Sequence, residues 1–421
     1  MDEALRRPIA DTLLAQRSAK VLILEGARGV GKTTAVRQQL VTGAGFSYAT
    51  LADPATLSLA AADPTAWLTT QHLPIVIDEA QLLPSLPLAV KEHVDQLGRG
   101  TKIVLTGSAS IGRKGLGGAD PLTRRTLRFT MWPITARERS GTTSSVVDAL
   151  FDGDPSAARF RPASDAELLT AMRTGGFPDY VLDNPAPTAS EMRAHVRADV
   201  TSLLTDTVLP DTDYSALTAR TLLAALACNP GGIFNASKLA QATDLNRRTV
   251  DRYMGIFQRL FLLHPLPNLA SRPVAQSHAR AKVHPVDTSL AVVALERAGR
   301  DVLAERELFG AVFESYVAGQ ILAAAQWADT SVEAYYWREP GSTPREVDLV
   351  LVDDIGRTVA VEVKGSREYN RRELAGLLAF RQAHGFHRAY LIHPGSECQQ
   401  LDRDIWLLPV GALTGPWPSE R

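Results

Sequence analysis

Gly26-Ala27-Arg28-Gly29-Val30-Gly31-Lys32-Thr33 is the stretch on which the reading of this chain turns. It satisfies the pattern GxxxxGK[ST] at every position, and average composition puts a chance match somewhere in the chain on the order of 1%. The apolar run 20–24 (KVLIL) precedes it as a buried strand, and residues 33–40 follow as a helix. A phosphate-binding loop needs that setting. Its glycines let backbone N–H groups wrap the phosphates, and the helix N-terminus adds a positive end. Lys32 then reaches the β and γ phosphates and the Thr33 hydroxyl binds Mg²⁺. The candidate nucleotide-binding residues are Gly26, Ala27, Arg28, Gly29, Val30, Gly31, Lys32, Thr33 and Thr34, with ATP and Mg²⁺ as cofactors.

Working outward, residues 75–79 (IVIDE) form a buried strand that ends in two carboxylates. Behind a complete phosphate loop this suits a metal-holding Asp78 and a general base, Glu79, that polarises the attacking water. The same residues also suit a solvated acidic turn. Residues 102–105 (KIVL) form a third strand that runs into Thr106-Gly-Ser108. Thr106 or Ser108 can sense the γ-phosphate or orient water, or simply cap a helix or turn. Strands at 20–24, 74–77 and 102–105 alternate with helical patterns, which predicts a parallel α/β sheet and a P-loop ATPase domain over 1–140.

The chain has 421 residues, 45% of them hydrophobic and 22% charged, so two to four domains can each bury a core. A net charge of −1 announces no nucleic-acid binder, although a local basic patch is compatible with it. The two cysteines, Cys228 and Cys398, form neither a metal-ligand spacing nor a disulfide framework. The opening MDEALRRPIADTLL has no uninterrupted apolar core, and no run of about 18 apolar residues occurs. The expectation is a soluble, cytoplasmic protein with no membrane partner.

Residues 141–165 are rich in small and polar types and read as a linker. From 166 to 300 the pattern is mostly helical, broken at Asn229-Pro230-Gly231-Gly232. Within it, Asn235 can cap a helix over 236–243, Asp244-Leu245-Asn246 can turn the chain, and 247–260 can form a second helix carrying Arg247, Arg248, Arg252 and Arg259. With the run from Phe261 to Leu266 as a wing strand, this resembles a winged helix–turn–helix whose basic helix enters a DNA groove. The motif serves equally well for packing domains or binding protein.

Residues 301–421 return to an α/β pattern, with a helix at 307–326, strands at 332–338, 346–352, 358–363 and 388–392, and a helix at 370–384. Two of the strands present Asp348, then Glu362 and Lys364, with Glu362 and Lys364 on one face by period-two alternation. Such a set suits Mg²⁺-assisted phosphodiester hydrolysis: Asp348 and Glu362 hold metal and Lys364 orients water, with Glu314 on the preceding helix able to complete it. The pattern resembles the PD-(D/E)xK, restriction-endonuclease-like core. Domains of that fold also serve as docking modules.

The segments GARGVGKTT, IVIDEAQ, VLTGSAS and LTRRTLRFTMWPITARE resemble AAA-type ATPases of the bacterial and archaeal family with a C-terminal DUF4143 domain. Arg124-Arg125 stands where that family usually has Gly-Arg, and Trp132-Pro-Ile-Thr where it has Tyr-Pro-Leu-Ser. The resemblance implies that Arg125 touches the γ-phosphate, in cis or from a neighbour in a homo-oligomer. It also implies that Gly175-Gly-Phe-Pro-Asp-Tyr180 begins the DUF4143 region. Two outputs of the nucleotide cycle stay open: a DNA-acting enzyme in which ATP gates a Mg²⁺ nuclease, and a regulatory switch whose other domains only dock protein or DNA.

Overall fold

The structure is a computed structural model and describes residues 5–16, 19–96, 103–111, 122–157, 160, 162–182, 186–206, 214–269, 281–339 and 344–417. Strands β1 (Val21–Glu25), β2 (Ser47–Thr50), β3 (Ile75–Asp78), β4 (Ile103–Gly107) and β5 (Thr126–Thr130) form a parallel sheet in the order β2-β3-β4-β1-β5. The central strands β1, β3 and β4 are buried along their whole length, as a sheet covered on both faces requires. Their alternate residues Val21, Ile23, Ile75, Ile77, Ile103 and Leu105 pack with Leu86, Val90 and Val94 of the helix Leu86–Asp95. These strands fall where the apolar runs predicted them, except that Lys102 lies outside the described residues. The helix after the phosphate loop is α-helical over Lys32–Ala35 and widens to a π-helix over Val36–Thr42. This sheet belongs to a compact unit made of the residues up to Trp132 with Arg259–Phe261, so the unit ends before the expected boundary at 140.

The second unit comprises Pro133–Gln258 and the chain from Leu262 on. Residues on both sides of 300 lie in this unit. Within residues 141–165, Val146–Asp152 is a helix that buries Val146, Val147, Ala149, Leu150 and Phe151. Ser145 caps it by accepting from Val147 N–H, and the Ser145 hydroxyl donates to the Ala324 carbonyl at 2.9 Å. A composition of small and polar residues concealed a short apolar stripe that has a partner.

β6 (Gly232–Ile233), β7 (Leu263–Leu266) and β8 (Lys282–Pro285) form a small antiparallel sheet in the order β6-β8-β7. Beyond it, β9 (Val332–Arg338), β10 (Glu346–Asp353), β11 (Thr358–Val363), β12 (Arg388–His393), β13 (Gln399–Asp402) and β14 (Ile405–Pro409) make a mixed sheet ordered β13-β14-β12-β11-β10-β9. The helix Ala375–Ala383 covers it, placing Leu377 and Phe380 on Val350, Ala360, Ala389 and Leu407. Between Val347 and Val350 the register of β10 against β9 slips, a bulge that includes Asp348.

The GGFPDY segment is also explained. Gly175 has φ +69°, and a Cβ there would lie 1.9 Å from a carboxylate oxygen of buried Asp287. Asp287 in turn accepts from Gly176 N–H at 2.7 Å, and Gly176 accepts from Ile134 N–H at 2.7 Å. The glycine pair allows this close approach, since any side chain at Gly175 would displace the carboxylate that holds the turn.

Candidate functional site

Parallel registration sets the first cluster. Glu25 pairs with Gly107 and Leu24 with Thr106, while Ile77 pairs with Leu105, so the C-terminal ends of β1, β3 and β4 lie side by side. The loop after β1, Asp78 at the end of β3 and Thr106 on β4 are thereby brought together. Ligands in open α/β sheets bind at this edge.

The loop leaves β1 at Gly26, where a Cβ would meet the Met131 carbonyl oxygen at 2.3 Å. Only glycine fits that approach. Ala27 and Val30 are buried, whereas Arg28, Gly29 and Thr34 are exposed. The buried guanidinium of Arg7 donates to the Val30 carbonyl at 2.9 Å and the Trp132 carbonyl at 2.8 Å, tying the loop to the segment after β5. Lys32 is 5% exposed and donates to the carbonyls of Gly26 and Ala27, each at 2.9 Å. Burial pushes its amine down to about 8, against the pull of Glu79 and then Asp78.

The buried Asp78 carboxylate collects four donors. Thr33 and Tyr48 hydroxyls reach one oxygen at 2.8 Å each, while the Thr106 hydroxyl and Glu79 N–H reach the other. The ring of Tyr48 lies under the Arg37 guanidinium, 4.3 Å from its centroid. Glu79 sits in the left-handed region at φ +56°, a sparsely populated backbone for a residue with a side chain. Its carboxylate accepts from Gln81 Nε2 and, at 3.3 Å, from Ser108 Oγ. Gln81 also donates to Ser108 at 3.1 Å. The two hydroxyls that sequence left as alternatives thus divide the work: Thr106 holds Asp78, and Ser108 belongs to the Glu79–Gln81 group. Tyr48 and Gln81 escaped prediction. Gln81 carried the clearer signal, being three residues beyond Asp78 in the IDEAQ segment. The Thr33 hydroxyl and Asp78 carboxylate are adjacent hard oxygen donors, a set that fits Mg²⁺.

Arg125 is not part of this cluster within its own chain. It precedes β5, whose Thr126 pairs with Val21 at the start of β1, so it lies at the opposite end of the sheet from the loop. Five residues of strand separate the two levels, roughly 16 Å at 3.3 Å per residue. Arg125 instead makes a two-pronged ion pair with Asp95 at 2.8 and 3.0 Å. The expectation of a γ-phosphate contact in cis is therefore corrected: parallel strand direction puts Arg125 at the wrong edge.

The second cluster lies in the other unit. Asp348, Glu362 and Lys364 do converge: Lys364 Nζ donates to Glu362 at 2.6 Å, and Asp348 accepts from Val363 N–H at 2.9 Å. Sequence missed Lys282, which occupies the centre. Its ammonium, 3% exposed, lies 2.8 Å from Glu314, 2.6 Å from Glu346 and 2.8 Å from Asp348. Burial opposes that charge, but Asp348, Glu314 and Glu346 outweigh it and hold Lys282 protonated well above its ordinary range. Burial and the Asp348 charge push Glu314 up to about 8 and raise Glu362 well above the carboxylate range, in spite of the nearby lysines. Asp348 stays below its usual value because Lys282 and Lys364 overcome its burial. One Glu362 oxygen is buried with no hydrogen-bond partner. This donor set does not fit Mg²⁺ as it stands: an ammonium fills its middle, and a carboxyl that keeps its proton is a poor ligand.

Two helices lie where the sequence placed them, Ala236–Thr243 and Arg247–Arg259. Asn235 caps the helix Ala236–Thr243 by accepting from Lys238 N–H at 2.9 Å, and Asp244 turns in the left-handed region. Asn246 accepts from Thr249 N–H at 2.7 Å and opens the helix Arg247–Arg259, which buries Val250, Tyr253, Met254, Ile256 and Phe257. Arg247 and Arg248 are exposed at its start, with Arg247 3.6 Å from Asp251. The strands β6, β8 and β7 of the small antiparallel sheet flank these two helices along the chain. Among the described residues, no helix is long and apolar enough to cross a membrane.

Comparison with known proteins divides the chain in three. Residues 18–140 match an AAA domain, residues 309–413 a domain of unknown function (DUF4143), and residues 165–301 another domain of unknown function (DUF8612). The GGFPDY segment thus falls in the middle match, which corrects its expected place at the start of DUF4143. Uncharacterized proteins from Mycobacterium bovis and Mycobacterium tuberculosis are each 24% identical over 403 residues, covering 95% of this chain and 82% of theirs. Among solved structures, the Thermotoga maritima RuvB Holliday junction branch migration motor aligns at 18% identity over 69% of this chain and 91% of that one, with a TM-score of 0.25. A single-residue variant of the same motor gives 16% identity, 70% and 91% coverage and a TM-score of 0.26. Scores that low leave the weight on the domain matches, which identify an AAA domain over residues 18–140 and a DUF4143 domain over residues 309–413 of this chain.

Proposed function

We propose that the chain is a Mg²⁺-dependent ATPase whose nucleotide cycle controls a DNA-binding winged helix. The observation that carries the ATPase reading is the single cluster of Lys32, Thr33, Asp78, Thr106, Glu79, Gln81 and Ser108 at the C-terminal edge of the sheet. Lys32 exchanges its two loop carbonyls for the β and γ phosphate oxygens. Thr33 and Asp78 hold Mg²⁺, and Tyr48 and Thr106 orient Asp78. The metal, when bound, neutralises charge on the β and γ oxygens. Glu79, aimed by Gln81 and Ser108, accepts the proton of the water that attacks the γ-phosphorus as the bond to ADP breaks.

A pH dependence follows from Lys32. Anionic phosphate favours its ammonium form, so binding raises a pKa that lies at about 8 in the free site. Affinity is expected to be flat below that value and to fall as pH rises through it, with a proton taken up on binding. Calorimetry of nucleotide binding in buffers of different ionisation enthalpy, at about pH 7 and about pH 9, checks this. Equal proton uptake at both pH values would remove Lys32 as the cause.

The DNA reading rests on exposed Arg247 and Arg248 at the start of the second helix of the winged-helix element. Fluorescence anisotropy with duplex DNA is expected to show affinity falling steeply with salt. The pair Arg247→Ala and Arg248→Ala should weaken binding and reduce the log–log salt slope by about 1–2. Binding that ignores both salt and the substitutions shifts the proposal to the regulatory alternative, in which the winged helix docks protein. No hydrolytic step is assigned to Asp348, Glu362 and Lys364, because their donor set does not fit the metal such a step needs.

A further inference from the structure

Lys282 opens β8 in the small three-stranded sheet, yet its side chain ends among carboxylates from two other elements. Glu314 comes from the helix Arg306–Ala324, and Glu346 and Asp348 come from β10. The Lys282 ammonium donates to Glu314 and to Asp348, each at 2.8 Å, and forms an ion pair with Glu346 at 2.6 Å. A divalent cation bound by the same oxygens would sit about 2.1–2.6 Å from them, in the volume that Nζ occupies. Glu346 and Asp348, two residues apart on β10, both face Lys282, and the second Asp348 oxygen is fixed by Val363 N–H. Among the described residues no group of three or more His, Cys, Asp or Glu side chains is arranged to hold a metal ion, and these three carboxylates converge on an ammonium instead.

We propose that Lys282 is a built-in substitute for a divalent cation. Its ammonium holds Glu314, Glu346 and Asp348 together, so the C-terminal cluster is a latent divalent-cation site that opens when that one side chain is removed. A fixed ammonium supplies charge and geometry. It offers no coordination position for a water molecule and cannot generate a metal-bound hydroxide. In this chain the cluster joins the small sheet to the C-terminal one and performs no phosphodiester chemistry. The inference is independent of the ATPase reading, since it concerns none of the residues on the parallel sheet.

The test is Mn²⁺ binding to the full-length, nucleotide-free protein, read from the loss of the free-ion magnetic resonance signal. Wild type, Lys282→Ala, Asp348→Asn and the double variant Lys282→Ala/Asp348→Asn are compared, so that weak binding at the Thr33–Asp78 pair is common to all four. Lys282→Ala should hold about one more Mn²⁺ per chain than wild type, and the double variant should return to the wild-type count. The proposal is overturned if Lys282→Ala keeps the wild-type count, or if wild type already holds an ion that Asp348→Asn alone releases. Should Lys282→Ala prove too unstable to titrate, its thermal midpoint gives the same answer. Mn²⁺ should raise that midpoint toward the wild-type value while leaving wild type unmoved, and a variant midpoint indifferent to Mn²⁺ overturns the proposal equally.

Discussion

Lys32→Ala should lower Mg²⁺-ATP hydrolysis by at least about 100-fold, roughly 3 kcal/mol of transition-state stabilisation, as expected when one preorganised cationic donor is removed from a water-poor site. The size of the effect follows from the position of the amine. It is buried, its rotamer is fixed by two carbonyl acceptors on its own loop, and it lies within the influence of Asp78 and Glu79. A preorganised charge of this kind needs no reorganisation when negative charge builds on the γ-phosphate. The fold should survive, because alanine suits the helix that begins at this residue and the carbonyls of Gly26 and Ala27 can turn to solvent. Phosphate release under saturating ATP, alongside an unfolding curve, separates the two effects. A folded variant that retained the wild-type rate would take the phosphate loop out of the reaction and remove the ATPase reading with it.

What sequence revealed, and what it concealed, follows from how far apart the interacting residues lie along the chain. The loop and its helix are contiguous, so the residues that make the motif also make its geometry. β1, β3 and β4 were legible because both of their faces are buried and their apolar runs are unbroken. β2 (SYAT) and β5 (TLRFT) were not, because they are the sheet's edge strands, only partly buried, and carry polar residues. Tyr48 reaches Asp78 from β2, and once that strand was missed the residue had no assigned place. Arg125 shows the opposite failure: the residue stood out, but its contact depends on strand direction, which local sequence does not fix. The Asp348–Glu362–Lys364 set was expected from spacing, while the lysine at its centre lies 66 residues before Asp348 on a strand that looked like part of another domain. Sequence spacing thus found the carboxylates, and only the tertiary fold supplied their counter-ion.

That counter-ion should also stabilise its unit. Lys282→Met is expected to cost about 3–5 kcal/mol, the usual penalty when one partner of a buried charge cluster is deleted and the others remain. Methionine fills a similar volume, so the loss reports charge more than packing. Without the ammonium, Glu314, Glu346 and Asp348 face one another beside Glu362, and the cheapest relief is to take up protons. The direction with pH then follows. A carboxyl whose folded pKa is raised stabilises the fold below its unfolded value near 4.5 and loses that contribution as pH rises through the folded value. Already in wild type that window for Glu314 closes at about 8. In Lys282→Met the folded values rise further, so the deficit against wild type should be widest at about pH 8 and narrow toward about pH 5. Chemical unfolding of both proteins at the two pH values measures it. Glu314→Gln, which removes a crowding acid and keeps a hydrogen-bond acceptor for Lys282, should cost much less. A Lys282→Met protein as stable as wild type at the higher pH would mean that the carboxylates do not depend on this lysine, and the reading of the cluster as a charge-balanced joint would fall.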